Sequence, residues 1–314
     1  MRRWIIDTDP GVDDAAAIIA AVRTGQMDIA GITTVHGNSP LEHTTGNALK
    51  LVELLGVDIP VYRGSERALL EPPRYAPEVH GKDGFGDLGL PRPARAAEKE
   101  HAVDFLLDQA RRHPGQLSVL ALGPLTNLAV ALAKDRSLAS QLAGIVLMGG
   151  TSAAQGNTTM AAEFNVCADP EAARMVFESG IPITMVPWET TLRCVLTGGP
   201  LERLRDADVP LAGVFWRASR IVARLIEKNL GIEGLVLCDL VAAAVIIEPA
   251  VVLRAMETFV AVETGGTVAR GLTALDWPGR SGRAPNARVI LEVDGERICG
   301  LFIEAITKEP RAFL

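Results

Sequence analysis

Four acids stand close together near the start of the chain: Asp7, Asp9, Asp13 and Asp14, in the stretch WIIDTDPGVDDA from Trp4 to Ala15. So many negative charges repel one another unless something neutralises them. A hard cation does this best, because Ca²⁺ or Mg²⁺ takes carboxylate oxygens and Ca²⁺ tolerates a crowded, irregular set. Helix capping would explain one or two of these acids, not four. An EF-hand is excluded: counted from Asp7, the sixth loop position is Val12 and the twelfth is Ile18, so the turn glycine and the bidentate glutamate are missing.

The elements that must position these acids can be read on either side of them. Trp4, Ile5 and Ile6 form an apolar run that predicts a short buried strand. Pro10 and Gly11 force a turn, and Asp13 opens a helix through Ala15–Ala20. Carboxylates at a strand's carboxyl end and in a helix's first turn converge where open α/β sheets bind ligands. Further strands are expected at 28–35, 59–62, 117–122, 145–148 and 181–186, with helices at 41–55 and about 125–133. Strands alternating with helices predict a single α/β domain over 1–314, with a mainly parallel, Rossmann-like central sheet flanked by helices. The C-terminal part, helical and then strand-like over 251–262 and 289–305, completes it. Residues 66–93, rich in Pro and Gly, predict a long loop, and 279–286 a shorter one.

The chain has 314 residues, 48% of them hydrophobic, enough for a sizeable core, and a formal net charge of −7. That charge argues against nucleic acid or an anionic membrane as partner. Arg2 and Arg3 are followed by too short an apolar run for a signal peptide, and no apolar stretch has membrane-spanning length. Cys167, Cys194, Cys238 and Cys299 are scattered, which fits reduced thiols in a cytoplasmic protein.

Other chemistry-bearing residues follow strand ends and loops. His36-Gly37-Asn38 closes the second strand; Asn38 is either a turn residue or a ligand contact, and His36 is a minor candidate. His80-Gly81-Lys82-Asp83-Gly84 lies in the long loop, where Gly81, Gly84 and Gly86 permit positive φ. Asp169, followed by Pro170, reads as a helix N-cap. Glu163 and Asn165 precede that helix in a loop, where a buried polar pair needs partners such as sugar hydroxyls. Arg217, Arg220 and Arg224 share roughly one face of a helix pattern over 212–229, best read as a solvated face.

The motif D-x-D-P-G-x-D-D-A, as it stands from Asp7 to Ala15, closely resembles the signature of the inosine-uridine nucleoside hydrolases. Ala121-Leu122-Gly123-Pro124-Leu125-Thr126-Asn127 and the run from Gly156-Asn157-Thr158-Thr159 to Asn165 are similar to later motifs of that family. The resemblance implies Ca²⁺-dependent hydrolysis of the N-glycosidic bond of ribonucleosides, in a setting of purine and pyrimidine salvage. It implies metal binding by Asp9, Asp14, the Leu122 carbonyl and Asp239, and a general base at Asp9. It implies ribose contacts from Asp13, Asn38, Met148, Asn157, Glu163, Asn165 and Asp239, and a homodimer or homotetramer. Many members have His-Asp where this chain has Cys238-Asp239, so the proton donor to the departing base is left between Cys238, His80 and solvent. Cys238 is equally well read as a small buried filler. Two other readings stand beside the hydrolase. One is a non-catalytic riboside-binding protein, which Cys238 would favour. The other is a Mg²⁺-dependent phosphatase using Asp7 and Asp9, which Pro10-Gly11 disfavours.

Overall fold

Strand-forming runs and turn residues lay out a doubly wound sheet. The computed structural model describes residues 2–308. In chain order the strands are β1 (Arg3–Thr8), β2 (Asp28–Thr34), β3 (Val61–Arg63), β4 (Leu117–Ala121), β5 (Leu142–Met148) and β6 (Ile183–Val186). They continue as β7 (Val195–Leu196), β8 (Leu235–Val236), β9 (Val252–Thr258), β10 (Val260–Val262), β11 (Thr273–Leu275) and β12 (Ala287–Val293). The main sheet has eight strands in the order β3-β2-β1-β4-β5-β6-β12-β9. Its neighbours pair in parallel except β9, which runs antiparallel to β12 at the edge. β10 with β11, and β7 with β8, form small antiparallel ribbons.

The sheet is buried on both faces, which is why its strands are near-continuous apolar runs. Ile6 points into one core and Ile5 into the other. On the Ile6 side two helices pack side by side, Val12–Thr24 and Cys238–Ile247. Both are apolar on nearly all sides: Ala15 to Ala21 and Leu240 to Ala244 are fully buried. A helix apolar all round belongs in an interior. The strand order reverses between β1 and β4, and the Leu122 N–H donates to the Asp7 carbonyl at 2.8 Å just beyond the strand ends. That is the topological switch point of the sheet.

Two expectations are corrected. The pattern over 289–305 is not all strand: β12 ends at Val293, and Asp294 caps a helix, Gly295–Thr307, by accepting from the Arg297 N–H at 3.0 Å. The cap residue was the available signal. The pattern over 212–229 is two helices, Pro210–Ala218 and Arg220–Leu230, broken at Ser219. The Ser219 hydroxyl bonds back to the Trp216 carbonyl at 2.9 Å, competing with the helical ladder. Gly86 packs on the backbone of Ala218 beside the break.

Candidate active site

Asp9 leaves the end of β1, and Pro10-Gly11 turns the chain into the first helix, whose opening turn carries Asp13 and Asp14. Asp239 stands in the first turn of the helix Cys238–Ile247. Both helix N-termini thus face the same point with acids, which their dipoles favour. Oxygens of Asp13, Asp14 and Asp239 lie within 4.8 Å of one another.

Asp14 and Asp9 are anchored by neighbours, one of which, Thr8, sequence reasoning passed over. Asp14 accepts from the Thr8 hydroxyl, from the Gly11 N–H at 2.9 Å and from the Asn38 side-chain amide at 3.1 Å. Asp9 Oδ2 accepts from the Asn38 N–H at 2.7 Å, and side chains at Gly37 or Gly123 would overlap the Asp9 carboxylate. Asn38 therefore fixes two carboxylates as well as lining the pocket. Asp9 Oδ1 and Asp13 Oδ1 are buried without a hydrogen-bond partner. Burial pushes the Asp13 carboxyl up to about 6, and burial with repulsion from neighbouring carboxylates pushes Asp14 to about 6 and Asp9 and Asp239 well above the usual range. Orphaned hard oxygens in a converging, self-repelling cluster fit a hard cation. The cluster can hold a metal ion.

Asp7 does not join it. Its Oδ1 accepts from the Asn127 amide at 2.7 Å and the Thr33 hydroxyl at 2.6 Å, and it is off the pocket lining. A phosphatase that needs Asp7 as a reacting carboxylate has no support in this geometry.

The cluster floors a pocket of about 260 Å³. Asp13, Asn38, Met148, Asn157, Glu163, Asn165, Asp239, Leu122, His80 and Cys238 all line it, so each expected substrate contact reaches one cavity. Asp9 and Asp14 sit behind that lining. Glu163 and Asn165 are not in a loop: Glu163 caps a short helix, Phe164–Ala168, and Asn165 lies within it. The Glu163 carboxylate accepts from the Gly150 and Asn165 N–H groups at 2.7 Å and from Val166 N–H at 3.2 Å. The Asn165 amide donates to the Leu122 carbonyl at 2.7 Å and the Met148 carbonyl at 3.1 Å, tying the ends of β4 and β5. Asn157 is exposed and accepts from the Phe164 N–H at 2.9 Å.

His80 lies on a short helix, Pro77–His80, inside the long loop, and is buried. Its Nδ1 accepts from the Val12 N–H at 3.3 Å, so the neutral ring carries its proton on Nε2; burial lowers its pKa to about 4. Gly81, Gly84 and Gly86 take the expected positive φ, at 82°, 75° and 75°. The Cys238 thiol is buried on the lining, facing Thr191 and Asp13. His36 is fully buried, bonded to the Thr126 hydroxyl at 3.1 Å and off the lining, so its role is structural. Val222, Leu225, Ile226 and Asn229 of the helix Arg220–Leu230 form the outer wall with Trp188 and Val236. Arg217, Arg220 and Arg224 are exposed and outside the lining, a solvated face as expected. Among the described residues no helix is long and apolar enough to cross a membrane.

Comparison with known proteins agrees with this geometry. The chain is 40% identical to uridine nucleosidase 1 of Arabidopsis thaliana over 250 residues, 79% of this chain and 74% of that protein. It is 35% identical to a pyrimidine-specific ribonucleoside hydrolase of Salmonella paratyphi B, covering 96% of this chain and 97% of that one. Among solved structures, an inosine-guanosine nucleoside hydrolase superposes with a TM-score of 0.90 at 34% identity, over 98% of this chain and 100% of that one. A family model described as inosine-uridine preferring nucleoside hydrolase matches residues 4–299. With the acid cluster at the switch point, these matches place the chain in the inosine-uridine preferring nucleoside hydrolase family, enzymes that hydrolyse ribonucleosides.

Proposed function

We propose that this nucleoside hydrolase is Ca²⁺-dependent and that Asp9 is its general base. The observation that carries the reading is the buried, unpartnered Asp9 Oδ1 beside the Asp13, Asp14 and Asp239 carboxylates. Asp9, Asp14, Asp239 and the Leu122 carbonyl would hold the ion. A bound Ca²⁺ would supply Lewis acidity that lowers the pKa of a water at the pocket floor. Asp9 would take a proton from a water at the pocket floor as the water oxygen bonds to the anomeric carbon; the C–N bond breaks with its electron pair leaving on the base nitrogen, which takes its proton from Cys238, His80 or solvent. The ribose ring passes through an oxocarbenium-like state, as in glycoside hydrolysis. Asp13, Asn157, Glu163, Asn165 and Asp239 grip the ribose hydroxyls, and Met148 packs on the sugar. Contacts away from the breaking bond can tighten in the transition state and so raise the rate.

Cys238 occupies the place where many members carry a histidine, so this chain represents a branch with a thiol there. The protein works in the cytoplasm in nucleoside salvage, as a homodimer or homotetramer. The test is ribose release from inosine and uridine, with and without a chelator, followed by calcium add-back. Release that stops with chelator and returns with calcium supports the reading. Release indifferent to chelator overturns the metal part of it.

A further inference from the structure

Asn157 reaches the pocket from a loop that runs from the end of β5 to Glu163 and is exposed over much of its length. An exposed loop has few apolar contacts, so polar anchors must hold its side chains in place. The second half of the loop is folded on itself. The Gly156 N–H donates to the Met160 carbonyl and the Thr158 N–H to the Ala162 carbonyl, both at 3.3 Å, and Asn157 accepts from the Phe164 N–H at 2.9 Å. These bonds shape the turn around Asn157. They do not set the path by which the chain enters it from β5.

That path is set by another element. Gly150 takes a φ of 71°, and its carbonyl accepts from the Trp188 N–H at 2.9 Å. The Thr273 hydroxyl accepts from the Thr151 N–H at 2.7 Å. The next two residues are held by one side chain. Glu189 Oε2 accepts from the Ser152 N–H at 2.8 Å and from the Ser152 hydroxyl at 3.2 Å, and Oε1 accepts from the Ala153 N–H at 2.7 Å. Ala154 follows at a φ of 57°, a left-handed conformation that alanine disfavours. Successive backbone N–H groups in such a turn make a concavity that an anion fills, and here the chain supplies its own carboxylate. Glu189 stands beside Trp188, which is on the pocket lining, so one side chain ties the Asn157 loop to the opposite part of the site.

We propose that Glu189 is a positioning residue for the riboside: by clasping Ser152 and Ala153 it fixes the entry of the loop and so holds Asn157 against the sugar. The proposal rests on the reading that Asn157 contacts the ribose. Glu189 touches no reacting atom. It acts through Asn157, on the sugar and not on the base.

The experiment is a double-mutant cycle on calcium-loaded protein. It measures kcat/KM for uridine, inosine and p-nitrophenyl riboside in the wild type, Glu189→Ala, Asn157→Ala and the double variant. Glu189→Ala should lower kcat/KM about tenfold, the scale of a misplaced substrate contact, and by the same factor on all three substrates. On the Asn157→Ala background it should cost almost nothing more, because residues that act as a unit are not additive. Glu189→Gln keeps one acceptor oxygen and should lose only about threefold. It replaces Glu189→Ala in the cycle should the alanine variant fail to fold. Calcium affinity should stay as in the wild type. Losses that add in full, or a Glu189 variant at wild-type kcat/KM, overturn the proposal and leave the ribose role of Asn157 intact. Asn157→Ala at wild-type kcat/KM overturns that role, and the proposal with it.

Discussion

The floor of the pocket and its outer wall are built on opposite principles. On the floor, Asp14 has three hydrogen-bond donors and Asp9 is clasped by Asn38 and two glycines. These two carboxylates are fixed before any substrate arrives, which is the preorganisation that catalysis by charge requires. The wall is mostly apolar: Val222, Leu225 and Ile226 sit on a helix that follows a break at Ser219 and packs against the loop helix Pro77–His80. Nothing there is clasped by hydrogen bonds. On the proposed function, the contrast assigns bond cleavage to the floor and the choice of base to the wall. Changes in one should leave the other's property largely alone.

The largest expected effect that would sharpen this division is at a residue off the pocket lining. Thr8→Val removes the hydroxyl that holds Asp14, and calcium affinity should fall about 10- to 100-fold, as for other lost supports of a metal ligand. Titration calorimetry checks this, and base preference should not change. A shift in base preference with unaltered calcium affinity would break the division.

On the wall, Ile226→Ala should change the ratio of kcat/KM between inosine and uridine by about tenfold, the size of a lost hydrophobic contact. Calcium affinity should stay as in the wild type. Cys238→Ala comes next, with a several-fold slowing of inosine and little change for p-nitrophenyl riboside, whose leaving group needs no proton. Equal slowing of both substrates would show that the thiol is packing and not an acid.

The smallest effect concerns stability. Burial raises Asp7 to about 6 and Glu163 to about 7, from ordinary values of 3.8 and 4.5. Such groups bind protons more tightly folded than unfolded, so their stabilisation is full below the unfolded pKa and is lost as pH rises through the folded one. Asp13 and Asp14 act in the same sense. His36 and His80, lowered to about 4, oppose it only up to their unfolded value of 6.5. Metal-free protein should therefore lose a few degrees of Tm between about pH 6.5 and 8. Calcium should restore most at the upper end, where the carboxylates are charged. A metal-free Tm that rises over this range would contradict the account.

The same division explains what the sequence made legible. Most of the floor is local, Asp239 being its distant member: strand, turn and helix start lie within Trp4–Ala15, and four acids so close leave few physical readings. The alternating apolar runs likewise predicted the parallel sheet, because a sheet covered on both faces needs them. Asp7 was grouped with the other acids because spacing alone does not tell which face a strand-end side chain takes. Its partners, Thr33 and Asn127, are distant in sequence. Leu122 is proposed to contribute through a carbonyl, which leaves no side-chain mark, and only the family motif pointed to it. That Glu163 also caps three backbone amides was not legible, because the capping depends on the turn after β5. The wall depends on where a helix break and a long loop meet, and no short motif encodes that.

The measurement that tests the floor most directly is turnover of p-nitrophenyl riboside by Asp9→Ala beside the wild type, both in calcium, with circular dichroism to confirm the fold. This substrate leaves without protonation, so the wall and Cys238 drop out of the result. The account predicts a folded Asp9→Ala protein with kcat reduced about a thousandfold, the scale of a lost general base. Near-normal turnover in that folded variant would contradict it.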